Sequence, residues 1–167
     1  TLTEAAERTV REWLGGRCPP VTVVPTCVDL ERFTQRTVVQ PPGEAPVFMY
    51  AGSVGTWYGL PELLRFVEQA RKRFPMTRLI LLTRQVDEAA ACVRESVVPL
   101  EAVTIRSVAA QDIPGWLAKA HAGLVFYKPG FSRLGTCPTK LGEYLAMGLP
   151  VVVTRGVGDT EALVTTM

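Results

Sequence analysis

The sequence predicts an α/β domain built on a doubly wound parallel sheet, a Rossmann-like arrangement. Apolar, β-type runs alternate with segments of helical periodicity about five times along the chain. These runs are continuously apolar, which is typical of parallel strands covered by helices on both faces. The length of 167 residues fits about one domain. Ligands of such sheets bind at the carboxyl ends of the strands, so the residues that follow each strand are the informative ones.

The chain opens with a predicted amphipathic helix over residues 1–14. Thr1 and Glu4 have the spacing of a capping box, and the apolar stripe of this helix ends in Trp13 and Leu14. Because this segment precedes the sheet, we expect residues 1–20 to be a helix and linker that belong with a missing N-terminal domain.

A β-branched run at 21–24 follows, and a polar, proline-bearing connector is predicted over 31–46. The predicted strands of the sheet come next in chain order: 47–52, 79–82, 103–105, 123–127 and 150–154. Each is an apolar run bounded by glycine, proline or polar residues.

A helix is predicted after each of these strands. Leu60 begins a stripe at i, i+3, i+4 and i+7 spacing, with Pro61 in the first turn. Asp112 is predicted as an N-cap, Gly148 as a helix stop, and Asp159 as the start of the last helix. The predicted helices are 60–74, 87–97, 112–120, 138–148 and the segment that opens at 159.

Composition excludes several functional classes. A net charge of +2 provides no basic face for sequence-independent nucleic-acid binding. An apolar content of 47% excludes a disordered chain. No apolar run approaches the roughly 20 residues of a membrane span. These properties predict a globular, soluble domain.

The cysteines favour a reducing compartment. Four cysteines occur without a CxxC pair and beside a single histidine, His121, so the spacing assembles no zinc site. Two disulfides are the alternative, but a chain of this size buries a core without them. We therefore expect reduced thiols and a cytoplasmic location, with contact to the inner face of the membrane through an absent domain left open.

The loop after the first sheet strand is one candidate binding segment. Gly52, Ser53, Gly55 and Tyr58 lie in a glycine-rich turn that leads into a helix, where backbone amides favour a phosphate. The spacing is neither GxGxxG nor a Walker loop, so an ordinary turn is an equal alternative.

The loop after the third strand is a second candidate. Ser107 and Val108 lie in a short stretch of small and polar residues that could offer backbone groups to the edge of a nucleobase.

The helix that begins at Pro138 carries the strongest candidate site. Backbone amides of its first turn, at Thr139, Lys140 and Leu141, together with the helix dipole, suit a diphosphate. Lys140 and Glu143 share one helix face, which allows an exposed ion pair. The functional alternative makes Glu143 an acceptor for ribose hydroxyls and Lys140 a positive partner of the phosphates.

This last segment resembles a known family. Residues 138–152, PTKLGEYLAMGLPVV, resemble the carboxy-proximal signature of retaining, family 4 type glycosyltransferases of GT-B architecture. Residues 24–33 resemble the family's IPNGVD…RF segment, 50–60 its first strand and glycine loop, and 156–161 its GG…E turn. The resemblance implies the C-terminal half of a GT-B fold, which binds the nucleotide sugar.

The resemblance also implies roles for individual residues. Glu143 matches the second glutamate of the family's paired motif, which holds the donor ribose. The first glutamate would stand eight positions earlier, where this chain has Gly135. The family's basic residues after the first strand fall near Ser53 and Tyr58, so Lys140 is expected to supply part of the charge that meets the phosphates.

The predicted function is therefore retaining transfer of a sugar from a UDP- or GDP-type donor to a saccharide or lipid-linked acceptor. Residues 21–167 would form the nucleotide-sugar-binding domain, truncated at its C-terminus. Transfer would require the missing N-terminal domain, so the fragment alone would be inactive. No metal or other cofactor is expected, and polysaccharide biosynthesis is the expected setting.

Three alternatives remain at this level. A GT-B-like nucleotide-sugar 2-epimerase would need acid and base side chains that this half offers sparsely. A non-catalytic nucleotide- or glycan-binding module would explain Gly135. A flavodoxin-like or receiver-like signalling domain fits the sheet pattern but lacks the expected acidic cluster.

Overall fold

A computed structural model describes residues 1–34 and 45–165 of the chain. Most of the predicted connector over 31–46 therefore lies outside the described residues. The strands are β1 (Val47–Ala51), β2 (Arg78–Leu82), β3 (Val103–Arg106), β4 (Ala122–Val125) and β5 (Val151–Val153). The helices are α1 (Glu4–Leu14), α2 (Leu60–Arg73), α3 (Val86–Arg94), α4 (Ile113–Leu117), α5 (Thr139–Ala146) and α6 (Thr160–Thr165).

The five strands form one parallel sheet in the order β3-β2-β1-β4-β5. β1 is central, with Met49 opposite Ile80 of β2 and Gly123 of β4. The chain winds outward from β1 first in one direction and then in the other, so the strand order reverses between β1 and β4. The predicted doubly wound α/β fold is thus confirmed, and its switch point lies at the carboxyl ends of these two strands.

Two apolar layers cover the two faces of the sheet. Met49, Leu117 and Tyr144 belong to one layer, and Leu63 and Leu79 belong to the other. All five are fully buried. Burial on both faces explains why the strands read as continuous apolar runs.

Helix α1 begins later than the capping-box spacing predicted. The N-cap is Thr3, whose hydroxyl accepts a hydrogen bond from the Ala6 amide at 3.1 Å. The Asp159 carboxylate accepts from the amides of Glu4 and Ala5, at 2.7 and 3.1 Å. The prediction that Thr1 caps this helix is therefore wrong, because the start of α1 is set by a partner more than 150 residues away.

The apolar stripe of α1 is not buried. None of its residues is buried, and Trp13 stacks on Phe131 with ring centroids 5.3 Å apart. Helix α1 thus lies on the same domain as the sheet. Whether it also borders a further domain stays a prediction.

Two predicted helices are shorter in the structure, and the β-branched run at 21–24 is not a strand. In that run the Val24 amide donates to the Thr1 carbonyl, and Pro25 has no amide to donate. Helix α3 ends at Arg94, before the exposed Val97. Helix α4 stops at Leu117, before 120, and no side chain caps it at Asp112, because a short 3-10 turn over 110–112 already leads into it.

His121 fixes one end of a strand, and the helix stop predicted at Gly148 agrees with the structure. The His121 imidazole accepts a hydrogen bond from the Val47 amide at 3.0 Å, which fixes the start of β1. Gly148 follows the end of α5 with a φ of 70°, a conformation that favours glycine. Within the described ranges, no helix combines the length and the apolar character needed to cross a bilayer.

Candidate functional site

A cleft of about 360 Å³ opens at the carboxyl ends of the strands. Its walls are the loops after β1, β2 and β3 and the first turns of α5. Six predicted site residues are among its lining: Gly52, Ser53, Ser107, Val108, Lys140 and Glu143. These residues come from two separate loops and one helix, so the fold itself brings the predicted set together. The cleft also lies beside the switch point between β1 and β4, where such sheets bind ligands.

Lys140 is the most unusual side chain of this cleft. It is only 9% exposed, and its Nζ has no hydrogen-bond or ion-pair partner among the described residues. The Nζ lies 3.9 Å from the centroid of the Tyr50 ring and 4.7 Å from that of Tyr58. Burial lowers the pKa of Lys140 to about 7, and the nearby Glu143 carboxylate opposes that shift.

The position of Lys140 depends on Gly52. A side chain at position 52 would place its Cβ 2.6 Å from the Lys140 Nζ, and the φ of Gly52 is 141°. Only glycine therefore leaves room for the lysine to reach across to β1. The exposed ion pair with Glu143 that the spacing allowed is wrong, since Lys140 is buried and its ammonium packs on the tyrosine rings.

Glu143 lies one turn further along α5 and is half-buried. Its carboxylate makes no hydrogen bond or ion pair within the described parts of the chain. Burial raises its pKa, and the positive charges of Arg32 and Lys140 oppose that shift. The site therefore presents a carboxylate acceptor with free lone pairs beside a buried ammonium.

Arg32 closes one side of this region and was not anticipated as a site residue. Its guanidinium donates to the carbonyl of Ala110, which lines the cleft, and packs over the ring of Phe33. Its Nε is buried without a hydrogen-bond partner. The RF dipeptide at 32–33 was recognised as a family likeness, but the spacing did not show that it reaches the site.

Thr83 and Arg84, which follow β2, also line the cleft. Both residues directly follow a predicted strand, so their position in the sequence was a signal that they could line a site. The exposed Arg84 side chain adds a second cation at the mouth of the cleft.

The remaining predicted residues lie outside this cleft. Leu141 is buried, its amide donates to the Pro138 carbonyl at 3.0 Å, and both residues line a separate cavity of about 500 Å³ beside α1 and α6. A Cβ at Gly55 would face Gln85 at the start of α3. Thr139 is exposed at the first position of α5.

Tyr58 touches the site only through Lys140. It is half-buried, forms an isolated bridge with Tyr127, and is not part of the cleft lining. Its ring lies 5.2 Å from that of Tyr127.

Gly135 and Arg133 lie in a 3-10 turn over Phe131–Gly135. A Cβ at Gly135 would lie 3.8 Å from Ala6 of α1, so this position faces the helix. Arg133 is 9% exposed and packs its guanidinium 4.5 Å from the ring centroid of Trp57. The even scatter of arginines along the sequence gave no signal that this one is buried.

No group of three metal-ligating side chains occurs in the part of the chain that the structure describes.

Comparison with known proteins identifies relatives of this arrangement. Residues 45–166 match the model of a family described as glycosyl transferases group 1. No curated protein sequence matches the chain.

Two solved structures share the fold. A mutant of S. aureus TarM, in complex with fondaparinux, alpha-GlcNAc-glycerol and UDP, aligns with 96% of this chain at 12% identity and a TM-score of 0.62. A mutant of the Thermobaculum terrenum O-GlcNAc transferase aligns with 80% of it at 18% identity and a TM-score of 0.55. The matches cover 30% and 27% of those chains, so this chain spans less than a third of either.

Proposed function

The chain belongs to the group 1 glycosyltransferases and has the Rossmann-like fold of a GT-B domain, and on this premise we propose that its cleft binds a nucleoside diphosphate sugar. The observation that carries the proposal is the buried Lys140 ammonium, which lines the cleft and has no anionic partner among the described residues. A buried cation of this kind is costly unless an anion meets it. The phosphates of the donor would supply that anion.

The start of α5 supports the same placement. The amides of Thr139 and Lys140 stand at the first two positions of the helix, where amides have no intrahelical partner. No other acceptor for them occurs within the described ranges. Amides and dipole would stabilise a diphosphate together with Lys140.

Glu143 would hold the ribose of the donor. A carboxylate accepts two hydrogen bonds from neighbouring hydroxyls, and both of its oxygens are available here. Backbone groups around Ser107 and Val108, on the far wall of the cleft, would meet the base. The TarM structure is a complex with UDP, and for this cleft we propose a UDP- or GDP-type donor.

The reaction we propose is transfer of the sugar to a saccharide or lipid-linked acceptor with retention of configuration. The bond between the anomeric carbon and the diphosphate oxygen breaks, a bond to the acceptor oxygen forms, and the acceptor proton leaves with the diphosphate or to solvent. The demand on the protein is stabilisation of the departing diphosphate, which amides and a lysine can meet without a metal ion or another cofactor.

The acceptor would be held by a second, N-terminal domain of the same polypeptide, because the cleft is open at the carboxyl edge of the sheet. Residues 1–20 would lead from that domain, residues 21–167 would form the donor half, and the donor half alone would not transfer sugar. Polysaccharide assembly in the cytoplasm, at the inner face of the membrane where the acceptor is lipid-linked, is the setting that we propose.

Calorimetric titration of the chain tests the donor site. We expect UDP or GDP to bind, and the matching nucleoside without phosphates to bind at least about 10-fold more weakly, since charge-assisted hydrogen bonds contribute about 1.5 to 3 kcal/mol. Lys140→Met and Glu143→Gln should each weaken nucleotide binding about 10-fold or more. Glu101→Gln, at an exposed site before β3, is the matched control and should leave it unchanged. Equal affinity for nucleoside and nucleotide, or no binding of either nucleotide, would contradict the proposal.

A non-catalytic nucleotide-binding module is the second candidate. The observation that favours it is Gly135, which faces Ala6 of α1. The family that the sequence resembles has a glutamate at this position. Turnover of UDP- or GDP-sugars by the full-length protein distinguishes the two. A full-length Glu143→Gln variant with undiminished turnover would show that this cleft is not the transferase site.

A further inference from the structure

Lys140 is surrounded by aromatic rings and not by carboxylates. Its Nζ lies 3.9, 4.7 and 5.8 Å from the ring centroids of Tyr50, Tyr58 and Tyr127. All three distances are within about 6 Å, the range of cation–π attraction. These residues come from β1, the loop after it and the loop after β4, so they form a three-sided box around the ammonium. We call this set the tyrosine box.

The box replaces the usual counter-ion. A carboxylate in contact with Lys140 would stabilise the ammonium but would also neutralise it. The face of an aromatic ring stabilises a cation through its quadrupole and carries no net charge. A protonated lysine held by rings is therefore stabilised without being neutralised by a neighbour, and its charge is available to a ligand.

Hydrogen bonds anchor the three residues of the box. The Tyr50 hydroxyl donates to the Ser53 carbonyl, and the Tyr127 backbone amide donates to the Thr154 hydroxyl at 3.2 Å. The Tyr58 backbone amide donates to the Gly55 carbonyl at 3.1 Å, and the Tyr58 ring lies 5.2 Å from that of Tyr127. Tyr58 is the most accessible of the three and lies outside the cleft lining.

We propose that Tyr58 is a positioning residue which, together with Tyr50 and Tyr127, holds Lys140 as an ammonium through the faces of the three rings and so leaves its charge free for the phosphates of a nucleotide. The inference rests on the proposed function, because it assumes that Lys140 meets the diphosphate. It assigns to Tyr58 an action through Lys140 and no direct contact with substrate.

The charged groups around Lys140 allow a clear test. Burial lowers its pKa, and Glu143 is the carboxylate that opposes this from α5. Arg32 acts on Glu143, and Arg133 acts on the Tyr127 hydroxyl. The Tyr58 side chain also hydrogen-bonds that of Tyr127, and Tyr58→Leu and Tyr58→Phe both remove this bond. A shift in the titration of Lys140 that occurs with Tyr58→Leu and not with Tyr58→Phe would therefore report the ring face.

The test compares Tyr58→Leu, which removes the ring, with Tyr58→Phe, which keeps it. The titration of Lys140 is followed in the free protein by NMR of lysine side chains labelled with ¹³C and ¹⁵N. The chain has four lysines, at positions 72, 119, 128 and 140, and Lys140→Arg assigns the signal. We expect Tyr58→Leu to lower the titration midpoint by about 0.5 to 1 pH unit and Tyr58→Phe to leave it near that of the wild type.

UDP and GDP affinity measured against pH gives the second readout. Affinity should be lost as pH rises through the Lys140 midpoint, because the neutral amine no longer attracts phosphate. In the Tyr58→Leu variant the loss of nucleotide affinity should begin at a lower pH, and the difference should equal the shift of the Lys140 midpoint. An unchanged midpoint in Tyr58→Leu, or an equal fall in Tyr58→Phe, would overturn the inference even where the nucleotide binds. Failure of wild-type protein to bind either nucleotide would instead overturn the proposed function, and with it the inference.

A folding defect in Tyr58→Leu would be visible in the amide spectrum. In that case a phenylalanine with three fluorine atoms on its ring is incorporated at position 58. Fluorine keeps the shape of the ring and weakens its negative face. The same fall in the Lys140 midpoint is expected, and an unchanged midpoint would overturn the inference.

Discussion

At the scale of the residue, Lys140 shows how a small neighbour decides the environment of a large one. Gly52 lies 88 positions earlier in the chain and leaves the space into which the lysine reaches. The consequence is a cation that is retained in the fold at a cost in stability. Such sites are typical of binding centres, where a charge is held ready for a ligand.

Because burying the Lys140 ammonium costs stability, we expect the free energy of unfolding to depend on pH. In the unfolded chain the Lys140 pKa has its ordinary value of 10.5, and in the folded chain it is about 7. Between these values the unfolded state binds more protons, so this residue makes the free energy of unfolding rise with pH. Lys140→Met should remove that rise and should stabilise the protein by about 1 to 3 kcal/mol near pH 6 to 7, with a smaller gain near pH 9.5.

Urea unfolding at a series of pH values measures this effect. Lys72→Met, on the exposed face of α2, is the control and should keep the wild-type slope. The Tyr127 pKa of about 12 lies above the range used, so the hydroxyl of this residue stays protonated in the folded protein throughout. A Lys140→Met variant with the slope of the wild type would contradict the interpretation.

At the scale of the element, α1 is held to the domain by its amino end. The Asp159 carboxylate accepts from two amides of the first turn, and Thr3 links the same turn to the Leu134 carbonyl. The helix buries no residue, so these polar contacts contribute much of what fixes it. A short helix whose apolar face is not buried is otherwise only marginally stable.

Asp159→Ala should therefore loosen α1 selectively. We expect a loss of about 1 to 2 kcal/mol in the free energy of unfolding, in the range measured for N-cap removal, and faster hydrogen exchange of the α1 amides. Asp159→Asn keeps one carbonyl oxygen and should lose less. Equal exchange rates in α1 for the wild type and Asp159→Ala would show that the cap does not fix the helix.

At the scale of the whole molecule, the sheet separates two apolar layers whose fully buried side chains are distinct, although the half-buried Tyr58 packs against both. Leu117 lies in one layer and Leu63 in the other, and both are fully buried. Because β1 passes between them, each layer responds to a lost side chain largely by itself.

A double-mutant cycle tests this independence. Leu63→Ala and Leu117→Ala should each cost about 2 to 5 kcal/mol, the usual range for such truncations. The double variant should lose the sum to within about 0.5 kcal/mol, as expected for sites without a common partner. Denaturant unfolding of the four proteins measures all terms, and a coupling above about 1 kcal/mol would show that the layers act as one core.

The strands of the sheet could be predicted from the sequence, whereas the ends of the helices could be predicted less well. Strands buried on both faces leave long apolar runs, and the five predicted strands agree with those observed. The N-cap of α1 depends on a contact with a distant residue, and the spacing of residues along the sequence does not show such contacts. Thr1 and Glu4 matched the capping pattern better than Thr3, but Asp159 holds the first turn in a register that makes Thr3 the cap. Asp159 comes next to the first turn of α1 only when the chain has folded.

The position of the candidate site could be predicted from the sequence, but the contacts of its side chains could not. The rule for strand ends predicted the loops at Ser53 and Ser107, and helix α5 supplied Lys140 and Glu143. The spacing placed both α5 residues on one helix face, but it did not show that the lysine would turn inward onto the tyrosine rings. Arg133 is buried through its stacking on Trp57, a contact between distant loops that no local pattern records.

The contact between Asp159 and the first turn of α1 also bears on how the chain folds. The Glu4 amide and its acceptor are 155 positions apart, so the hydrogen bond closes a loop that includes the whole sheet. Closing so long a loop has a high entropic cost until the strands between have paired. Helix α1 would consequently dock among the last steps of folding, as a latch that closes on a sheet already formed.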